Sequence, residues 1–140
     1  MTHDDANLIL KLYELRREEK LRAARAWYIS QFKVKTLEEF DALCPVGSEN
    51  NAYFRMVTTY WEMATSFVVN GILNSGLFMQ NSMEFLVVWE RVNGILPALR
   101  ERNNAPHQLH NLESCAHLAV VWLSQQGTGV YESFQARFRP

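Results

Sequence analysis

Long apolar runs are missing from this chain. No stretch approaches the roughly 18 uninterrupted apolar residues of a membrane-spanning helix. The N-terminus "MTHDDANLIL" has acids where a secretory signal carries a basic segment before its apolar run. The sequence therefore predicts no membrane-spanning segment and a cytoplasmic protein. Charge of one sign is missing too. Fourteen Lys and Arg against 15 Asp and Glu leave a net charge of -1, without the basic field that phosphate backbones require, which argues against nucleic acid as a partner. Cysteine is scarce. Cys44 and Cys115 are the only two and lie far apart, so neither a disulfide framework nor a Cys-based zinc site has support, and two reduced, buried thiols are expected. Glycine (6) and proline (4) are few. With no repeat, low-complexity tract or linker dividing the chain, residues 1–140 read as a single domain.

What the chain does have is apolar and aromatic mass, 48% hydrophobic and 12% aromatic residues. At this length a chain buries roughly 68–70% of its unfolded surface, enough for one core without staples. Its periodicity is helical throughout. "DDANLILKLYELRR" aligns Leu8, Leu12 and Leu15, with Asp4 and Asp5 at the positive end of the helix dipole. "EEKLRAARAWYISQF" aligns Leu21, Ala24, Tyr28 and Phe32, but this stripe is rotated by more than a third of a turn from the first. A kink or break near Arg17 to Lys20 follows, or one long helix whose halves touch different neighbours.

"TLEEFDALCP" reads as a short helix with a Thr36–Glu39 capping box, ended by Pro45. The segment from Ser48 to Asn70-Gly71 has a helix start and a left-handed stop. Its apolar residues Tyr53, Val57, Tyr60, Trp61, Ala64, Phe67 and Val68 cover nearly half its circumference, which makes it the central helix. "ILNSGLFMQNS" is a turn with room for a short helical piece. "MEFLVVWERVNGILPALRERNN" follows, with Phe85, Trp89, Val92, Leu96 and Leu99 on one face and a bend expected at Gly94 and Pro97. A last long helix spans about 108 to 125 before an amphipathic tail carrying Val130, Tyr131, Phe134 and Phe138. The predicted fold is all-α: a single-domain, irregular bundle of five to six helices.

The order "FRMVTTYWEMATSFVVNGIL" then "FLVVWERVNGILPALRER" supports a resemblance. A helix centred on Tyr60, Trp61 and Glu62, a Gly71-Ile72-Leu73 turn, then a Trp helix ending in Pro97 and Arg100 is similar to a bacterial family of all-helical proteins known only as a domain of unknown function. The resemblance covers residues 50–103, in helix-core and capping residues more than in chemistry. It implies a bacterial helical domain without an established activity. Members of that family often carry a membrane-spanning segment ahead of this region, whereas this chain begins with a soluble helix.

Three constellations could carry chemistry. In "HQLHNLESCAH", His110, Glu113 and His117 form a stripe on the shoulder of the apolar face made by Leu109, Leu112, Ala116, Val120 and Leu123. Di-metal bundles project Glu and Glu-x-x-His pairs into the interior from several helices. Here the order is reversed and no second copy occurs, so a hydrogen-bonded helix flank outweighs a metal site, and no cofactor is predicted. Arg55 and Glu62 share a polar face with Thr59 and Ser66, either a pocket for a polar ligand or a water-facing side, the latter favoured. The last long helix is apolar on a second side, with Cys115, Leu118 and Trp122. Either it is sandwiched within the domain or Leu118 and Trp122 meet another copy. The C-terminal tail could cover the patch through Tyr131, Phe134 and Phe138, and a homodimer is the alternative taken.

No G-x-S-x-G, P-loop or Gly-rich phosphate cradle is present. The leading functional reading is accordingly a non-enzymatic interaction or regulatory module, with another protein as a further possible partner. The second is a small-molecule domain with an aromatic pocket among Tyr60, Trp61, Trp89 and Trp122, joined by Arg55 and Glu62. The third is a metal-dependent enzyme centred on His110, Glu113 and His117.

Overall fold

Where the two N-terminal apolar stripes go out of phase, the chain breaks. In the computed structural model, which describes residues 1–140, α1 spans His3–Arg16 and α2 spans Glu19–Gln31. Glu18 sits between them, its carboxylate accepting from the Lys20 and Leu21 amides at 3.1 and 3.0 Å. The second stripe is buried as expected, from Leu21 to Phe32. Of the first stripe only Leu12 is buried; Leu8 is half-buried and Leu15 is 41% exposed. The α1 start is held by a Thr2–Asp5 capping box, with the Asp5 amide donating to Thr2 Oγ1 at 3.2 Å and the Thr2 amide to Asp5 Oδ2 at 2.7 Å. The other oxygen of Asp5 accepts from the Asn74 amide at 2.8 Å, tying α1 to the far side of the chain.

Helix α3 (Leu37–Leu43) begins at Thr36, whose hydroxyl accepts from the Glu39 amide at 3.1 Å. Glu39 returns the bond one residue further back than a capping box requires, to the Lys35 amide at 2.7 Å. The central helix is α4 (Glu49–Val69), capped by Ser48 and packed between α2 and the late helix α8 (His110–Gln126). It ends as its sequence predicts. Gly71 adopts φ +76°, which lets the Ile72 and Leu73 amides close onto the Phe67 carbonyl, both at 2.9 Å.

Helix α5 (Ser75–Asn81) follows, then α6 (Glu84–Val92). Gly94 and Pro97 bend the next stretch as expected: a 3-10 turn at Asn93–Ile95 leads into α7 (Leu96–Arg102), with the proline in its first turn. Helix α6 is buried on every side from Phe85 to Val92, so it is a core helix rather than an amphipathic one. The chain finishes with α9 (Val130–Phe138), reached from α8 through Gly127-Thr128-Gly129.

Nine α-helices therefore replace the expected five to six, or eight rods when α6 and α7 are counted as one bent rod. The excess comes from the breaks at Arg17-Glu18 and Gly94 and from the short α5 and α9, while α3 is the short helix its sequence predicts. No strand is present. The buried apolar side chains form one connected cluster of 32 residues, with α4, α6 and the inner face of α8 at its centre. No helix is long and apolar enough to cross a membrane.

Candidate functional site

Trp61 is fully buried, Tyr60 is 8% exposed and Trp89 is 5% exposed. These aromatics fill the core; the Tyr60 hydroxyl donates to the Leu12 carbonyl, and none of the three lines a cleft. Arg55 lies elsewhere, exposed on α4, with Nε donating to Asn51 Oδ1 at 3.0 Å. It makes no ion pair with Glu62. The ligand candidates of the sequence are thus not gathered around a common cavity.

Glu62 has a different task. Its Oε1 accepts from the Leu112 amide at 2.8 Å, and its Oε2 from the Asn111 amide and side chain at 3.2 and 2.9 Å. Asn111 and Leu112 lie in the first turn of α8, whose cap residue Leu109 has φ +57° and no side-chain oxygen to offer. Glu62 is therefore a helix cap supplied from another helix, its charge set against the positive end of the α8 dipole.

The histidine stripe is likewise dispersed. Glu113 pairs with Arg100 at 3.1 Å, and Arg100 Nε donates to the Gln108 carbonyl at 2.9 Å. His110 is exposed beside the His107 ring, and His117, also exposed, sits edge-on to Trp89. No three His, Cys, Asp or Glu side chains converge as a metal site would need.

On α8, Cys115 belongs to the core together with Ala119, and burial pushes its thiol up to about 12. Both cysteines are free and buried. Leu118 and Val121 stay open, at 46% and 57% exposure, while Trp122 is half-buried against the core. The tail leaves this face open: α9 packs against both α8 and α6 and is drawn away from the groove, none of its residues lining it. What remains is a groove of about 210 Å³ between α8 and α5, lined by Ser75, Gly76, Met79, Leu118, Val121, Trp122 and Gln125, none of them charged.

The pull on α9 comes from two buried charges that the sequence reading passed over, Glu90 and Arg91 on α6. Glu90 is 1% exposed. It accepts from the Tyr131 hydroxyl at 2.6 Å and from Arg139 Nε at 2.9 Å, and the Tyr131 phenol is pushed up to about 12, first by burial and then by that carboxylate. Arg91, 6% exposed, has no carboxylate partner. Its Nη1 donates to the Tyr28, Ile29 and Phe32 carbonyls at 2.8–3.3 Å, and Nε to the Phe138 carbonyl at 2.7 Å. One guanidinium thus closes the C-terminal ends of α2 and α9, where helix dipoles present partial negative charge. An acid and an arginine side by side within "FLVVWERV" was the available signal, since charge amid apolar residues is costly unless partnered. Beside this pair opens a polar cleft of about 210 Å³, lined by Val34, Lys35, Glu90, Arg91, Asn93, Gly94, Arg139 and Pro140.

A family model described as a domain of unknown function (DUF4760) matches residues 1–118. No curated protein and no solved structure matches the chain.

Proposed function

The chain belongs to that family of unknown function, and from this premise we propose that residues 1–140 act as one non-enzymatic interaction module that pairs with a second copy of itself through the outer face of α8. The observation that carries the reading is the exposure of Leu118 and Val121 beside the half-buried Trp122. Leaving such side chains in water forgoes roughly 1.5–3 kcal/mol each relative to full burial, a liability unless a partner covers them.

A second copy suits this face for two reasons. The patch holds both a ridge, Leu118 and Val121, and a groove lined by the small Ser75 and Gly76, so two copies related by a two-fold axis can interlock. It also carries no charge to repel its own image. The non-enzymatic part rests on how the reactive groups are spent. Glu62 caps α8, Glu113 pairs with Arg100, and the Cys44 and Cys115 thiols are pushed by burial up to about 11 and about 12. Two free buried thiols fit a reducing, cytoplasmic setting, and the resemblance in residues 50–103 is what speaks for a bacterial one.

Light scattering across a hundredfold dilution tests the pairing. The parent should fall from twice 16.3 kDa toward 16.3 kDa. Leu118→Glu should be monomeric throughout, keep the parent's helical circular-dichroism spectrum and have a melting temperature that no longer depends on concentration. A parent that is monomeric at every concentration would overturn the proposal.

A further inference from the structure

The polar cleft beside Glu90 and Arg91 has a chemistry unlike the α8 face. Three of its lining side chains are cationic, Lys35, Arg91 and Arg139, against the single acid Glu90. Both Glu90 oxygens are already engaged, by Tyr131 and Arg139. Lys35, exposed in the loop between α2 and α3, forms no ion pair. Arg91 is more than nine-tenths buried, yet its Nη2 makes no hydrogen bond to the protein. Its charge is met by carbonyl dipoles alone, and two N–H donors are left over at the cleft. These donors meet the solvent of the cleft rather than a protein acceptor, and a guanidinium is built to offer such a pair to a tetrahedral oxyanion.

The volume narrows the ligand. About 210 Å³ lies below the roughly 300–1,000 Å³ of pockets for drug-sized molecules, and Val34 and Pro140 are the only apolar side chains there. From this geometry we propose that the cleft is a binding site for a phosphate group, held by Arg91 Nη2 and by Lys35, with Arg139 fixed beside them by Glu90. The group could arrive as free phosphate or on a small phosphate monoester; the chemistry of capture is the same.

The test is a titration of the full ¹⁵N-labelled chain with inorganic phosphate, ionic strength held constant with chloride, followed by NMR including the arginine Nε–H signals. Saturable shifts are expected at Asn93, Gly94, Arg139 and the Arg91 side chain, with Kd of about 1 mM or tighter. Lys35→Glu, at an exposed position, should keep the melting temperature and weaken binding by about fivefold or more. A parallel arm with glycerol phosphate separates the two sources, tighter binding of the ester pointing to a phosphorylated small molecule and equal binding to the free ion. Acetate at the same concentration should shift these signals far less. No saturation by phosphate, shifts spread over every surface cation, or a Lys35→Glu variant that titrates like the parent would each overturn the proposal.

Discussion

Replacing Glu62 by Ala removes three hydrogen bonds at once and leaves the first turn of α8 with its Asn111 and Leu112 amides unpaired. The loss can be bounded. A helix cap contributes about 0.5–2 kcal/mol, and a hydrogen bond to a charged group about 1.5–3 kcal/mol. The three bonds share one half-buried carboxylate and replace water partners, so a total of ~2–3 kcal/mol is expected rather than their sum. With an unfolding entropy of about 2.1 cal/mol/K per residue, each kcal/mol lowers the melting temperature of a chain this long by roughly 3–4 °C. Thermal melts by circular dichroism should place Glu62→Ala about 7–10 °C below the parent. Thr59→Ala, exposed on the same helix, serves as control. Amide exchange should accelerate at Leu112 before it does in α4. A Glu62→Ala variant melting within about 2 °C of the parent would show that Glu62 is an ordinary surface acid and that α8 starts without it.

Other consequences follow from single residues. Gly71→Ala should cost about 1–2 kcal/mol, because φ +76° is strained for any residue with a Cβ although nothing stands within 4 Å of it; an unchanged melting temperature would refute the αL stop. Neither Cys44 nor Cys115 should react with a thiol reagent at pH 8 in the folded protein, and both should after unfolding; rapid native labelling would refute their burial. The raised Tyr131 pKa has a sign as well. The fold favours the neutral phenol, so its contribution is complete below pH 10 and is lost as pH climbs toward about 12, with the two thiols acting in the same direction. Melting temperature should therefore fall more shallowly with alkaline pH in Tyr131→Phe than in the parent, and parallel curves would contradict the assignment.

Much of the helix map can be read from local signals, because caps and stops act within a few residues. Ser48, Thr36, the Asn70-Gly71 stop and the Gly94–Pro97 bend each work through the backbone beside them. The phase shift between Leu12 and Leu21 likewise predicts the break that Glu18 makes. The family match over residues 1–118 extends well beyond the 50–103 stretch that carries the resemblance.

The functional residues are harder to read, since their roles depend on helices distant in sequence. Glu62 occupies the polar side of α4, and only the arrival of α8, some fifty residues later, makes it a cap. Arg91 makes sense only when the ends of α2 and α9 meet over it. Periodicity also placed Leu118, Cys115 and Trp122 on a single second face. In the fold that face divides, Cys115 going to the core and Leu118 to the surface, because α8 is gripped by α4 and α6 over a wider arc than one stripe.

The self-association at the centre of this account is tested most directly by a cysteine placed on the open face. Val121→Cys puts one accessible thiol on the ridge of α8, inside the face through which the two copies would pair, while Cys44 and Cys115 stay buried. Under mild oxidation at micromolar concentration the variant should convert to a covalent dimer of twice 16.3 kDa, much faster than Leu10→Cys, which is equally open on α1. Cross-linking of Val121→Cys no faster than that of Leu10→Cys would contradict the pairing of two copies through α8.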